Sequence, residues 1–370
     1  MNARLYIGLI SGTSRDGVDA ALVNIENDRT DLLHAFCKPY PAAIRSELNR
    51  LLETQERPPK GKAAALDELL GRFFALTANE LIEQAGVERR DVNAIGSHGQ
   101  TVWHQPDAPR PVSIQLASGS MIARSTGITT VTDFRKADIR AGGQGAPLAP
   151  LLHRQLFQSK DERRAVLNLG GIANITMLGT DGSVNGYDCG PGNCLMDAWI
   201  QKSSGDLFDR GGGWAAGGEV QTDLLESLLD DPYFDQAPPK STGLEYFNMS
   251  WLDSRLREFA LQDQHVQCTL AELTARTIAQ DLLKDQPPAR VLVCGGGVHN
   301  SYLLFRLKQL LPGIAVESTI QHGSDPDWVE AILFAWLAKE RLAGRLQDTP
   351  PITGAREPVL LGRIYGLQER

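Results

Sequence analysis

Long apolar runs are what this sequence most plainly lacks. The opening run "RLYIGLI" turns polar at Ser11, and no stretch approaches the eighteen or so apolar residues that cross a bilayer, so no membrane partner is expected. Cysteine is sparse. The five thiols, Cys37, Cys189, Cys194, Cys268 and Cys294, are odd in number and scattered, which excludes a disulfide framework and suits a reducing, cytoplasmic compartment. "CGPGNC" brings two of them close, but without a second Cys/His pair at zinc spacing it reads as two incidental thiols. Blocks of basic residues are missing too: 37 Lys and Arg against 45 Asp and Glu give a formal charge of −8, so a nucleic-acid surface is not expected and small molecules are. Neither GxxxxGK[ST] nor a G-x-G-x-x-G between strand and helix occurs, which removes support for P-loop and Rossmann nucleotide sites.

What remains is an ordinary globular composition, 42% hydrophobic and 22% charged, in a chain of 370 residues, longer than one core usually serves. Two domains are expected. β-branched runs alternate with helical periodicity, so the fold class is α/β. "RLYIGLI" and "AALVNI" read as a hairpin closed by "SGTSRDGVD". "KAAALDELLGRFFALTANELIEQAG" reads as a core helix ending at Gly86, "VNAIGSHGQTVWH" as a strand running into a loop, and a domain crossing is expected near Asp133. Just beyond it "RAVLNLGGIANITML" repeats the hairpin around Gly170 and Gly171. Two glycine-turn hairpins, each opening one part of the chain, 1–132 and 133–370, suggest a duplicated architecture. A last helix is expected over "DPDWVEAILFAWLAKERLAG", with Asp325 as cap, Pro326 in the first turn and Gly344 at the end.

The first hairpin turn has the chemistry of a phosphate cradle. Gly12 and Gly17 allow close backbone approach, Thr13 and Ser14 offer hydroxyls beside the amides of Arg15 and Val18, and Asp16 and Asp19 are hard oxygen ligands suited to Mg²⁺ through water. A plain polar turn, with Gly and Asp present for conformational reasons, is the rival explanation. Gly170, Gly171 and Asn174 repeat the pattern in the second hairpin, and "CGGGVHN", with Gly295, Gly296 and Gly297 between a strand and a helix, would admit an adenosine ring against bare backbone. Three such sites in this order favour a nucleotide.

Several longer stretches, "GLISGTSRDGVDAALV", "GSHGQTVWH", "NLGGIANIT", "GYDCGPGNCLMD", "CGGGVHN" and "DWVEAILFAWLA", resemble those of the anhydro-N-acetylmuramic acid kinases over nearly the whole chain. The resemblance implies a two-lobed, actin-like fold (a duplicated ribonuclease H-like ATPase) with ATP in the interlobe cleft, Mg²⁺, a homodimer, and a 1,6-anhydro amino sugar of the cell wall as substrate. It assigns Asp188 as catalytic base and Glu330 as a possible second carboxylate at the sugar. On residue type alone, Asp188 reads as a turn or capping residue and Glu330 as an acid suited to a helix start. His98, Gln100, Thr101 and His104 would line the sugar pocket, and Arg135 or Arg140 would meet the lactyl carboxylate through a bidentate pair. Satisfied loop histidines and surface ion pairs are the alternatives.

Overall fold

The computed structural model describes residues 4–12, 15–26, 29–53, 58–105, 108, 111–238 and 240–366. Its strands, in chain order, are β1 Leu5–Ser11, β2 Gly17–Glu26, β3 Arg29–Pro39, β4 Val92–Gln105, β5 Val112–Leu116, β6 Thr130–Thr132, β7 Arg164–Leu169, β8 Ile172–Leu178, β9 Val184–Pro191, β10 Arg290–Cys294, β11 Ala315–Ser318 and β12 Arg363–Tyr365. They form two sheets, ordered β12-β6-β4-β1-β2-β3 with β5 beside β4, and β11-β10-β7-β8-β9. In the first, β1, β2 and β3 make an antiparallel meander, β4 lies parallel to β1, and β6 lies parallel to β4. In the second, β7, β8 and β9 make the meander, with β10 parallel to β7 and β11 parallel to β10. One five-strand pattern thus occurs twice. The fold class is thus α/β with a duplicated sheet pattern, as the resemblance to an actin-like, ribonuclease H-like fold implies.

The chain divides into Met1–Leu156 with Trp328–Arg370, and Phe157–Asp327. The boundary therefore falls later than the expected 132/133, and the C-terminal segment returns to the first unit. The buried carboxylate of Asp138 explains the first difference. It accepts hydrogen bonds from Gly145 N and Thr353 Oγ1, both at 2.7 Å, and so ties the segment after β6 to the C-terminal part of the same unit. Two glycines explain the second. Gly8 and Gly96 are register partners on β1 and β4. A Cβ at Gly8 would sit 1.8 Å from the Ala331 carbonyl oxygen, and one at Gly96 1.8 Å from that of Phe334. Only bare backbone lets the helix Val329–Leu342, buried nearly all round, lie flat on these strands.

That helix begins at Val329 rather than in the turn of Asp325 and Pro326. Asp325 instead accepts from Asp327 N at 3.1 Å, and the Pro326 carbonyl accepts from Gly295 N at 2.9 Å, so neither enters the helical ladder. β4 also departs from expectation. It stays a strand to Gln105 because β5 folds back on it, pairing Gln100 with Leu116 through Gln105 with Val112.

The first unit's core gathers Ile7, Leu9, Val18, Leu22, Leu70, Phe74 and Ile95 beneath the helix Lys60–Ala85. The second is built around Asp263–Leu283, a helix buried along most of its length, with Leu167, Ile175, Phe247, Val291 and Leu303. No described helix is long and apolar enough to cross a membrane.

Candidate active site

In the first unit the β1–β2 turn is braced from β4. Ser11 Oγ donates to Gln100 Oε1 at 2.7 Å, and Gln100 Nε2 donates to the Gly12 carbonyl at 3.2 Å, so Gln100 shapes the turn itself. Arg15 sits at φ +55°, a left-handed conformation unusual for a non-glycine residue, with its amide on the Gly12 carbonyl at 3.3 Å. Thr13 and Ser14 lie outside the described residues. The Val18 side chain is fully buried in the core, so packing claims it. Gly17 is needed for a local reason: a Cβ there would fall 2.4 Å from the Lys38 carbonyl oxygen of β3.

Asp16 is exposed and Asp19 half-buried, opposite Cys37 in the β2–β3 register. Although Cys37 is exposed at the strand edge, desolvation of its sulfur and then the Asp19 carboxylate push the thiol up and keep it neutral. Among the described residues no group of three or more His, Cys, Asp or Glu could cage a metal. A pair of carboxylates fits the other mode, in which Mg²⁺ keeps its waters and takes its remaining oxygens from phosphates.

Further along β4, His98 is buried and stacks on Phe334 with ring centroids 4.6 Å apart. Its Nε2 accepts from Arg135 Nε at 3.0 Å, so the proton is on Nδ1, which donates to the Gly99 carbonyl at 3.1 Å. Burial and the neighbouring guanidinium drive its pKa well below the usual histidine value, so the ring is neutral. Arg135 Nη1 in turn donates to the Gly145 carbonyl at 2.8 Å. His98, Arg135 and Asp138 therefore build the Ala141–Leu148 loop as one piece, with Arg135 half-buried and Arg140 exposed. Thr101 Oγ1 accepts from Gln115 Nε2 at 3.3 Å; His104 Nδ1 lies 2.9 Å from Ser113 Oγ, its pKa lowered to about 4 by burial and then by Arg135. Glu330 is exposed in the first turn of its helix.

In the second unit, Gly170 and Gly171 form the two-residue turn of β7–β8. Their carbonyls are claimed by the start of the next helix: Gly192 N and Cys194 N bond Gly171, and Asn193 N and Nδ2 bond Gly170, at 2.9–3.1 Å. Asn174 faces Asn168 across one side and Asp188 across the other. Asp188, on edge strand β9, is held at its Oδ2, its amide and its carbonyl. Its Oδ2 accepts from Ser241 Oγ and Thr242 N, each at 3.0 Å, its amide donates to the Lys240 carbonyl, and its carbonyl accepts from Tyr233 OH at 2.7 Å.

The three glycines after β10 divide by role. Gly295, at φ +79°, and Gly297 pack on β7, where a Cβ would meet Asn168 Oδ1 at 2.3 Å and Leu169 Cβ at 2.5 Å. Gly296 is exposed with nothing within 4 Å of a built Cβ, the bare surface an aromatic ring would need. Sequence reasoning missed a second glycine turn beside it. Gly212, φ +71°, approaches Asn300 so closely that a Cβ would lie 2.2 Å from its Oδ1. The signal was present as "DRGGGW", where Asp209 caps the Trp214 and Ala215 amides at 2.9 Å. Asp197, in the first turn of the helix Cys194–Ser204, has its pKa pushed up to about 7 by burial and then by Asp209.

The sequence profile of the family "Anhydro-N-acetylmuramic acid kinase" matches residues 4–367. The chain belongs to that family. A protein of that name from Xanthomonas campestris pv. campestris is 49% identical over 365 residues, 98% of this chain and 97% of its own. Another from Shewanella halifaxensis is 44% identical over 367 residues, 99% of each. Among solved structures, the activator of the 2-hydroxyisocaproyl-CoA dehydratase from Clostridium difficile with bound ADPNP aligns with a TM-score of 0.48 at 10% identity, covering 92% of this chain and 96% of that one. Membership in the anhydro-N-acetylmuramic acid kinase family places the chain among the phosphotransferases that act on a sugar hydroxyl.

Proposed function

We infer that this protein uses ATP to convert 1,6-anhydro-N-acetylmuramate into N-acetylmuramate 6-phosphate, opening the anhydro ring as it phosphorylates O6. The match to the kinase family along residues 4–367 carries this inference. The substrate dictates the order of chemistry. Its O6 is tied to C1, so no free 6-hydroxyl exists to attack phosphorus until the C1–O6 bond breaks. Water attacking C1 releases O6 as the nucleophile, and the water's proton needs an acceptor.

Asp188 is that acceptor in our proposal. Hydrogen bonds to its carboxylate, amide and carbonyl hold it on β9, which supplies the positional accuracy a general base requires. The β1–β2 turn and Gly170–Gly171 would receive phosphates on backbone amides, and Gly296 would face the adenosine. Asp16 and Asp19 would hold Mg²⁺, whose contribution is to offset phosphate charge. Arg135, presented by His98, would pair with the lactyl carboxylate, Thr101 and Glu330 would contact the sugar, and Gln100, buried and bonded at both ends, would act by shaping the β1–β2 turn. The proposal includes a cytoplasmic homodimer.

Asp188→Asn keeps size and most hydrogen bonds but takes no proton, so turnover should fall by roughly 10²–10⁴ with ATP and sugar binding retained. In 18O-labelled water, label should enter the product at C1 and not the phosphate. Because O6 occupies the β face of C1, direct displacement should give the α anomer before mutarotation. Label in the phosphoryl group, a β product, or ring opening without ATP would overturn the coupled scheme.

A further inference from the structure

The segment that grips Asp188, Lys240 to Thr242, has no regular secondary structure, yet it supplies three of the aspartate's hydrogen bonds. The Lys240 carbonyl takes the Asp188 amide at 3.1 Å, and Ser241 Oγ and Thr242 N each reach Oδ2 at 3.0 Å. An irregular segment holds such geometry only if something fixes it. Here that is the Lys240 side chain, which runs inward. Its ammonium lies 3.1 Å from Asp281 Oδ2, with the two side chains 1% and 8% exposed, and 5.2 Å and 5.8 Å from the ring centroids of Tyr233 and Tyr187. Asp281 belongs to the helix at the centre of the unit's core, Asp263–Leu283. Tyr233 closes the circuit by donating its hydroxyl to the Asp188 carbonyl at 2.7 Å.

A buried ion pair seldom stabilises a fold more than an apolar pair of equal volume would, because both charges lose their water. Its directional hold is another matter: an ammonium between a carboxylate and two aromatic faces has one place to sit. We propose that Lys240 is a positioning residue for the reaction, clamping Lys240–Thr242 to the core so that Ser241 and Thr242 hold the Asp188 carboxylate in the orientation for proton abstraction. The proposal rests on Asp188 being the base.

The test is a double-mutant cycle. Lys240→Met combined with Asp281→Asn removes both charges, so neither is left buried alone. In the otherwise wild-type enzyme this pair should lower kcat by about 10–100-fold while the KM values for ATP and sugar move less than about threefold. In an Asp188→Asn background the same pair should change kcat by less than about twofold, since no base remains to be positioned. Equal losses in both backgrounds would overturn the proposal, as a purely structural role predicts. Ser241 is exposed and gives a second route should the charge-free pair fail to fold. Ser241→Ala should lower kcat roughly fivefold or more and Ser241→Thr, which keeps the hydroxyl, should restore most of it; a silent Ser241→Ala would count against the clamp. If Asp188→Asn alone leaves kcat near wild type, the base assignment fails, and the clamp with it, whatever the Lys240 variants do.

Discussion

The two copies of the five-strand pattern share an order and differ in what they spend their residues on. In the first, the third strand of the meander, β3, is a long edge with mostly half-exposed side chains; in the second, the corresponding β9 is largely buried and its edge is gripped by Lys240–Thr242. The first hairpin turn runs from Gly12 to Asp16 and carries acidic oxygens, whereas the second is the tight pair Gly170–Gly171, pinned by the helix that follows. Glycine serves helix packing inside the strands of the first copy, at Gly8 and Gly96, and close turn packing at strand ends in the second, at Gly295 and Gly297. Equal topology therefore sets where loops emerge, while unequal side chains decide which copy supplies a charged turn and which holds a carboxylate through hydrogen bonds.

The sharpest way to break this contrast is to add one methyl group to each copy. Gly96→Ala drives a Cβ into helix backbone that cannot swing aside and should destabilise the protein by about 3 kcal/mol or more. Gly170→Ala meets its nearest neighbour at 3.4 Å and should stay within about 1 kcal/mol by the same measure. Urea unfolding of both variants decides it, and similar losses would erase the distinction.

Acid should also act unevenly. His153 in the first unit is buried, and burial lowers its pKa to about 3, so the unfolded chain binds a proton that the folded one refuses. The stability it contributes is present above pH 6.5 and is lost as pH falls toward 3; His98, lowered well below 6.5, acts in the same sense. His153→Gln should spare about 2 kcal/mol of the loss seen between pH 7 and 5. An unchanged pH slope would show that this histidine is not held neutral.

A smaller effect concerns the charged turn. Asp16→Asn should raise the KM for Mg·ATP about tenfold at limiting Mg²⁺, roughly 1.4 kcal/mol, with the thermal midpoint unmoved. Steady-state kinetics across Mg²⁺ concentrations would check it, and an unaltered KM would return the turn to a conformational role. The smallest expected effect has the opposite pH sense. Asp197, raised to about 7, takes a proton on folding, so its charge opposes the folded state increasingly as pH climbs from about 4 through 7. Asp197→Asn should stabilise by about 1 kcal/mol at pH 8, discounted for partial exposure, and less at pH 5. Calorimetry at the two pH values reads the difference directly.

Much of this was legible along the chain. Both hairpins, the helix ending at Gly86 (φ +65°) and the strand into "GGG" carry local signals, because apolar period and glycine conformation act within a few residues. The family motifs raised Asp188 and the glycine turns as the candidates that the proposed function uses. Less legible was how β4 continues to Gln105, since its strand state depends on β5 folding back, and why Gly8 and Gly96 are glycine, since the reason is the backbone of Ala331 and Phe334.

By itself, then, the sequence determined the two glycine-turn hairpins, the duplication they suggest and the kinase family, which follow from local periodicity or from motifs spanning the chain. Only the tertiary structure decided that the last helix belongs with the first unit, that buried Asp138 joins Gly145 to Thr353, and that Lys240 reaches Asp281 beneath Asp188. Those contacts link residues distant in sequence. A buried charge reads along the chain like any surface charge, and its meaning appears only when folding removes its water and leaves one partner within reach.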